Sequence, residues 1–198
     1  MLQTSLKPYP CCHMNHAFLD AVATLRTRYR FEPADVAAVE CRIAAREAPI
    51  VCEPEATKRT PQTDYDAKFS LPYTVACMLI RGHVEVDDFT PAAIRDAAVL
   101  SLAQRVRYGD DPESDYPRHF PGRLRIHLRN GTVLEHAEPV HRGSPDRPLS
   151  DDEVCDKFTR NARRSLTERN AAAVAEMIWQ LESLADVRAV AAALRGDA

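Results

Sequence analysis

The segment that most constrains the fold of this chain is RLRIHLRNGTVLEHAEPV, residues 123–140. Apolar and charged residues alternate from Arg123 to Arg129, which is the period of a strand with one buried face. Asn130-Gly131 follow, a pair favoured at type I′ turns, and apolar residues resume at Val133. The segment therefore predicts a β-hairpin with a type I′ turn, and local antiparallel pairing in the fold.

The sequence also predicts a further strand, with one helix before it and one helix after it in the chain. KFSLPYTVACMLIRGH, residues 68–83, has a capping serine at Ser70, a proline in its first turn and a terminating glycine at Gly82. Residues 15–30 form an amphipathic helix capped by Asn15, and residues 39–43 alternate as a half-buried strand. We expect an α+β fold, with a small antiparallel sheet packed against helices as a two-layer sandwich.

The chain divides by composition into two parts. Residues 1–166 form the predicted α+β core, and residues 167–198 form an Ala-rich helical segment with one apolar face. Residues 47–67, interrupted by three prolines, are predicted to be mostly loop. The apolar C-terminal helices have no evident partner within so small a sheet, and we expect them to pack on something outside this chain.

The composition excludes several classes of protein. Lys and Arg total 26 against 29 Asp and Glu, a net charge of −3, which gives no general attraction to nucleic acid or an anionic membrane. No apolar run approaches the ~18 residues of a spanning helix, and no signal sequence is evident. The six cysteines lack paired spacing, so we expect reduced thiols and a cytoplasmic protein.

The densest cluster of reactive side chains is KPYPCCHMNH, residues 7–16, and four interpretations of it remain open. Cys12, His16 and either Cys11 or His13 could bind zinc, although no further ligand cluster follows. Cys11 and Cys12 could form a strained redox pair. The segment could be a proline-stiffened loop with one buried cysteine. It could also be one wall of a pocket for an anionic substrate.

The pocket wall has the clearest physical basis. Prolines 8 and 10 hold the chain extended, so that Lys7 could meet a carboxylate. The helix start that follows favours an anion and a neutral imidazole at His16, which could act as a base. KFSLPY repeats the arrangement, with Lys68 before the capping Ser70 and Tyr73 in the first helical turn. Lys68 and Ser70 are therefore outer substrate-binding candidates.

Three separated segments carry a resemblance to a known family: KPYPCCHMNHAFLDA, DAKFSLPYTVACMLIRGHVEVDDFT and HRGSPDRPLSDDEVCDKF. In this order they resemble the C-terminal domain of the MmgE/PrpD family, which includes 2-methylcitrate dehydratase, cis-aconitate decarboxylase and iminodisuccinate epimerase. The resemblance implies an α+β domain beside a large helical domain, with the active site between them and no metal or organic cofactor. The shared step is proton transfer next to a carboxylate.

The resemblance also implies roles for particular residues. Lys7 corresponds to the lysine that meets substrate carboxylate, and His16 and Tyr73 correspond to the catalytic histidine and tyrosine of the two motifs. Cys12 stands where cis-aconitate decarboxylase has a site histidine, which argues against decarboxylation. His13, one residue later, is the alternative to that histidine, although we expect it to point elsewhere. The family's helical domain is expected to be absent, so the site would be completed by a helical partner or in a homodimer.

We therefore expect the site-forming domain of a lyase, a dehydratase above all, or of an epimerase, acting on a small di- or tricarboxylate and inactive alone. A non-catalytic binding or assembly module derived from the same family is the alternative, and a regulatory domain that binds small molecules is a third. Activity that appears only with a helical partner and is lost in Lys7→Ala would separate the first hypothesis from the others.

Overall fold

A computed structural model describes residues 4–195 of the chain. It contains two compact units that divide after Pro148. We call the first the α+β unit and the second the C-terminal unit. No helix among residues 4–195 is both long enough and apolar enough to cross a bilayer.

The α+β unit is built on one sheet of four strands. These are β1 (Val36–Ile43), β2 (Val106–Asp110), β3 (Gly122–Leu128) and β4 (Val133–Glu138), in the order β2-β1-β3-β4. The pairs β1–β3 and β3–β4 are antiparallel, and β1–β2 is parallel. The α+β class is confirmed, and the sheet is mixed because the long connection from β1 to β2 allows a parallel edge strand.

Alternation along the strands separates an apolar face from a charged one. Val39 pairs with Ile126 and Cys41 with Leu124, and these four side chains are buried. On the other face Arg125 lies opposite Glu135 and forms an ion pair with it at 3.0 Å. The apolar face packs against helices, while the charged face carries the solvated arginines of the hairpin.

Six helices belong to the α+β unit as described: α1 (His16–Arg28), α2 (Ala48–Val51), α3 (Glu55–Arg59), α4 (Asp64–Lys68), α5 (Leu71–Arg81) and α6 (Ala97–Ala103). Short 3₁₀ turns are formed by His13–Asn15, Pro33–Asp35, Val86–Phe89 and Ala93–Arg95. The prediction of mostly loop for residues 47–67 was wrong, because a proline in or just before the first turn can begin a helix as well as interrupt one.

Helix α1 supplies much of the core. Phe18, Leu19, Val22 and Leu25 lie on its buried face and have no exposed surface, and burial of each such side chain contributes roughly 1.5–3 kcal/mol. Asn15 precedes α1 as predicted, but its side chain makes no capping hydrogen bond. Helix α1 thus begins from the 3₁₀ turn before it.

The hairpin is confirmed, but the prediction of a type I′ turn was wrong. A type I′ turn needs positive φ at both central residues, and among the described residues only glycines have positive φ. Gly131 has φ 88°, and its N–H donates to the Leu128 carbonyl at 3.0 Å. The connection is therefore a three-residue loop in which Gly131 alone takes the left-handed conformation.

The C-terminal unit contains three helices: α7 (Asp151–Ala162), α8 (Glu168–Trp179) and α9 (Arg188–Leu194). Ser150 and Glu153 form the predicted capping box of α7, and Thr167 caps α8 by accepting from the Asn170 amide. Five large apolar side chains of this unit are exposed: Ile178, Trp179, Leu181, Val187 and Leu194.

Candidate active site

The two lysine-containing motifs of the sequence meet in the α+β unit. The Cys12 amide donates a hydrogen bond to the Lys68 carbonyl at 2.8 Å. Two residues later Ser70 caps α5 by accepting from the Tyr73 amide at 3.0 Å. The structure therefore brings the start of α5 next to residues 7–12, here called the lysine loop, although the two segments are far apart in the sequence.

Contacts with the segment that follows β4 hold the lysine loop in place. The Leu6 amide donates to the Gly143 carbonyl at 2.8 Å. Gly143 has φ 88°, and a Cβ there would lie 1.9 Å from the Leu6 oxygen, so only glycine fits. The Tyr9 hydroxyl donates to Asp20 at 2.7 Å, and Arg142 contacts both groups. These contacts fix the loop against α1.

Lys7 and His16 converge on one atom, the carbonyl oxygen of Cys11. The Lys7 Nζ lies 3.2 Å from this oxygen and the His16 Nε2 lies 3.4 Å from it. Lys7 is exposed, whereas His16 has no exposed surface. The predicted proximity of an ammonium and an imidazole is thus present, with the ammonium at the surface and the imidazole beneath it.

The imidazole of His16 is neutral. Burial lowers its pKa well below the usual value, and His13 and Lys7 lower it further. Because a carbonyl oxygen can only accept, the His16 Nε2 carries the proton and Nδ1 has the free lone pair. Nδ1 is buried without a hydrogen-bond partner among the described residues. His16 therefore has the free lone pair that a base needs, but its side chain is fully buried and substrate cannot contact it directly.

Neither cysteine of the lysine loop is activated. Burial raises the pKa of Cys11, and the neighbouring Cys12 raises it further. Burial also raises the pKa of Cys12, with smaller opposing effects from the Met14 backbone and Lys7. Both are free thiols. A protonated thiol is a poor nucleophile and a poor base, so Cys12 contributes shape and weak polarity to the loop.

The other predicted site residues have partners within the α+β unit. The Lys68 Nζ binds Asp64 at 2.8 Å. The Ser70 hydroxyl accepts from the Tyr73 amide and contacts the Lys58 carbonyl. The Tyr73 hydroxyl lies 2.5 Å from the Asp88 carbonyl, is fully buried, and has its pKa raised by burial and by Cys77. Their catalytic and binding roles remain predictions.

Two further histidines stand beside His16: His13, considered above as a zinc ligand or a substitute histidine, and His141, which the sequence did not assign to the site. His13 contacts the His16 ring at 4.9 Å and the His141 ring at 4.4 Å, between ring centroids. His13 also stacks on Phe120 at 5.0 Å with an interplanar angle of 10°. We call His13, His16 and His141 the histidine cluster. His141 begins the HRGSPDRPL segment, and only its tertiary position reveals its relation to the lysine loop.

Glu47 is the other residue that sequence reasoning missed. It is fully buried, and neither carboxyl oxygen has a hydrogen-bond partner among the described residues. Burial raises its pKa to about 7, and the Ala44 backbone offsets this only in part. Its negative form raises the pKa of Cys12. A lone glutamate in REAPIVC gives no periodic signal that would have identified it.

The site thus combines a surface ammonium with neutral imidazoles, a set suited to binding a carboxylate and moving a proton. Within residues 4–195, no three His, Cys, Asp or Glu side chains are arranged to hold a metal ion. The zinc interpretation of the lysine loop therefore has no support from the geometry.

Comparison with known proteins gives consistent matches. The family model for the MmgE/PrpD C-terminal domain matches residues 9–183. A cis-aconitate decarboxylase-like protein of Aspergillus oryzae is 27% identical over 143 residues, covering 72% of this chain and 30% of that protein. The cis-aconitate decarboxylases of Mus musculus and Homo sapiens are each 24% identical, covering 69% of this chain and 28% of theirs. The chain thus spans less than a third of the length of these relatives.

Proposed function

The chain belongs to the MmgE/PrpD family, and on that premise we propose that its α+β unit is the site-forming domain of a lyase acting on a small di- or tricarboxylate. The observation that carries the proposal is the meeting of the Lys7 ammonium and a neutral histidine at the Cys11 carbonyl. Lys7 binds a substrate carboxylate, and a histidine takes the proton from the adjacent carbon. The electron pair left on that carbon then expels the leaving group.

Dehydration, as of 2-methylcitrate, is the reaction we propose first, with epimerisation by reprotonation as the variant. The relatives are named as cis-aconitate decarboxylases or decarboxylase-like proteins. In this chain the thiol of Cys12, whose pKa is raised by burial, stands in the lysine loop. A protonated thiol does not replace an imidazole as a base, and this favours loss of water over loss of carbon dioxide.

The remaining part of the site is proposed to come from a helical domain, in a partner chain or a second copy. Two observations support this proposal: the chain covers only 28–30% of its relatives' length, and Lys7 is exposed. The six free thiols support a reducing compartment such as the cytoplasm.

The experiment is to mix the 198-residue chain with a helical-domain partner and follow conversion of 2-methylcitrate and cis-aconitate. We expect turnover in the mixture and little in either component. Lys7→Ala should raise KM by about 10–100-fold, because removal of a charge-assisted contact to a carboxylate loses roughly 1.5–3 kcal/mol. Lys157→Ala, which removes a lysine from the C-terminal unit, is the matched control and should leave KM unchanged.

A second candidate, a non-catalytic assembly module, is favoured by the five exposed apolar side chains of the C-terminal unit. It predicts tight association with the partner and no turnover of any tested acid. That result with wild-type protein would reject the lyase proposal.

A further inference from the structure

Three imidazoles of the α+β unit are buried or half-buried together, and each has an unused ring nitrogen. His13 Nε2, His16 Nδ1 and His141 Nε2 are enclosed without a hydrogen-bond partner among residues 4–195. Both side-chain atoms of the buried Asn15 share this condition. An enclosed polar atom without a partner costs about 1–3 kcal/mol. A catalytic role is one of the explanations for such atoms in a native fold.

The hydrogen bonds that the cluster does make assign two of the three tautomers. The Phe120 amide donates to His141 Nδ1 at 3.2 Å, so His141 carries its proton on Nε2. The Cys11 carbonyl can only accept, so His16 also carries its proton on Nε2 and offers Nδ1 as a lone pair. The cluster therefore holds one unused donor and one unused acceptor, on the two rings that His13 contacts.

His13 is the member of the cluster that reaches the surface. It is half-buried, whereas His16 and His141 are buried. Its ring is clamped between Phe120, stacked at 5.0 Å, and the edge of His141 at 4.4 Å. Burial, together with smaller effects of His141 and Lys7, lowers its pKa to about 4. His13 Nε2 is enclosed, so Nδ1 is the nitrogen through which this clamped, half-buried imidazole can act as a base on a substrate held by the ammonium.

We propose that His13, and neither His16 nor Cys12, exchanges the proton with the substrate, and that His141 is its positioning residue. This inference rests on the proposed function. In dehydration the C–H bond next to the carboxylate breaks and its proton passes to His13. The bonding pair forms the carbon–carbon double bond as the C–O bond breaks, and His13 then returns the proton to the departing hydroxide. Water leaves and His13 is neutral again.

Binding of the substrate should make the His13 imidazole more basic. A di- or tricarboxylate bound at Lys7 cancels the ammonium charge and adds negative charge beside His13, which raises the pKa of the imidazole toward neutrality. Burial is the largest cause of the low pKa of His13, and Lys7 is the smallest of the three. Neutralising Lys7 therefore removes only part of the lowering, and the negative charge of the bound substrate adds to the rise.

The first test needs no turnover. Ring-nitrogen NMR of the 198-residue chain should show His13 uncharged at pH 6 and the protons of His16 and His141 on Nε2. His83, whose side chain is 50% exposed, provides the comparison resonance. A charged His13 at pH 6, or a His141 proton on Nδ1, overturns the inference.

The second test uses the mixture described for the proposed function. His13→Gln should lower kcat by about 10²–10⁴-fold, the usual contribution of a general base, and leave KM within about threefold. His141→Ala should lower kcat by about tenfold, and His141→Asn should recover most of the loss, because the asparagine oxygen can accept from the Phe120 amide. His83→Gln is the control.

The outcomes separate the two claims. An unchanged kcat in His13→Gln, with Lys7→Ala still impaired, overturns the role of His13 and leaves the proposed function in place. A wild-type mixture that converts no acid overturns both.

Discussion

The histidine cluster and His119 lie in the same α+β unit and show opposite charge states of one side chain. In the cluster the rings meet one another and an aromatic ring, and burial lowers their pKa values. His119 instead lies between two carboxylates, 2.6 Å from Asp115 and 2.8 Å from Asp146. A carboxylate accepts and does not donate, so both His119 nitrogens carry protons and the ring is charged.

The difference shows what decides the protonation of a histidine. His119 and His141 have similarly small exposed fractions, 8% and 3%, so exposure alone does not distinguish them. The pKa of His119 is raised, first by its bond to Asp146 and then by that to Asp115. The pKa of His141 is lowered by burial and then by the charge of His119. The charged histidine therefore helps to keep the cluster neutral.

The two regions also give the free energy of unfolding opposite pH dependences. A cluster histidine stays neutral in the folded state but becomes protonated below pH ~6.5 in the unfolded state. The free energy of unfolding therefore decreases as the pH falls below that value. His119 has a raised pKa, so its contribution is complete below ~6.5 and is lost as pH rises through the folded value. Replacing a cluster histidine and replacing His119 should therefore change the pH dependence of the free energy of unfolding in opposite directions.

A large effect at acidic pH is expected for His16, the most enclosed member of the cluster. Between pH 6.5 and pH 5 the wild-type chain should lose up to about 1.4 kcal/mol per pH unit more than His16→Gln, since one unfolded-state proton is removed by the substitution. Urea unfolding across this range measures the difference in slope. His83→Gln is the matched control. Equal slopes for wild type and His16→Gln would show that His16 is protonated when folded.

Local patterns in the sequence predicted the framework of this site but not its chemistry. Ser70 and Gly82 bound α5 as predicted, since capping and a left-handed glycine (φ 79°) depend on neighbouring residues alone. Strand β2 was missed because Val106–Asp110 is a short edge strand with polar residues. Its parallel pairing with β1 is a long-range contact that no local period encodes.

The same distinction applies to the candidate site. Lys7 and His16 are close in the chain, and their convergence on the Cys11 carbonyl follows from a stiff loop that enters a helix. His141 and Glu47 are far from that loop in sequence, and their burial next to it depends on the whole fold. A buried titratable group without a partner gives no sequence signal, because its neighbours come from other elements.

Glu47 provides the next test, since it is a buried carboxyl without the cationic partner that would keep it charged. Its pKa is raised to about 7, so the folded state retains a proton that the unfolded state loses above pH ~4.3. Stability therefore falls as pH rises from about 4.5 to 7 and is constant above that range. Relative to wild type, Glu47→Gln should therefore gain about 2–3 kcal/mol in free energy of unfolding between pH 5 and pH 8.

Chemical denaturation at the two pH values measures this effect. Glu182→Gln, an exposed glutamate of the C-terminal unit, should show no such pH-dependent gain. A Glu47→Gln protein that is less stable than wild type at pH 8 would mean that the carboxylate is charged and bound to a donor when folded.

The smallest effect is expected for His119, whose carboxylate partners are largely exposed, so that solvent screens both ion pairs. His119→Gln should lower the free energy of unfolding by less than about 1 kcal/mol at pH 6, with a smaller deficit as pH rises through the raised pKa of His119. The sign is opposite to that of the cluster, because this histidine stabilises when charged. The substitution should also raise the pKa of His141, which ring-nitrogen NMR can follow, because a nearby positive charge is removed. If the His141 titration does not move, the neutrality of the cluster depends on burial alone, and the two regions are independent.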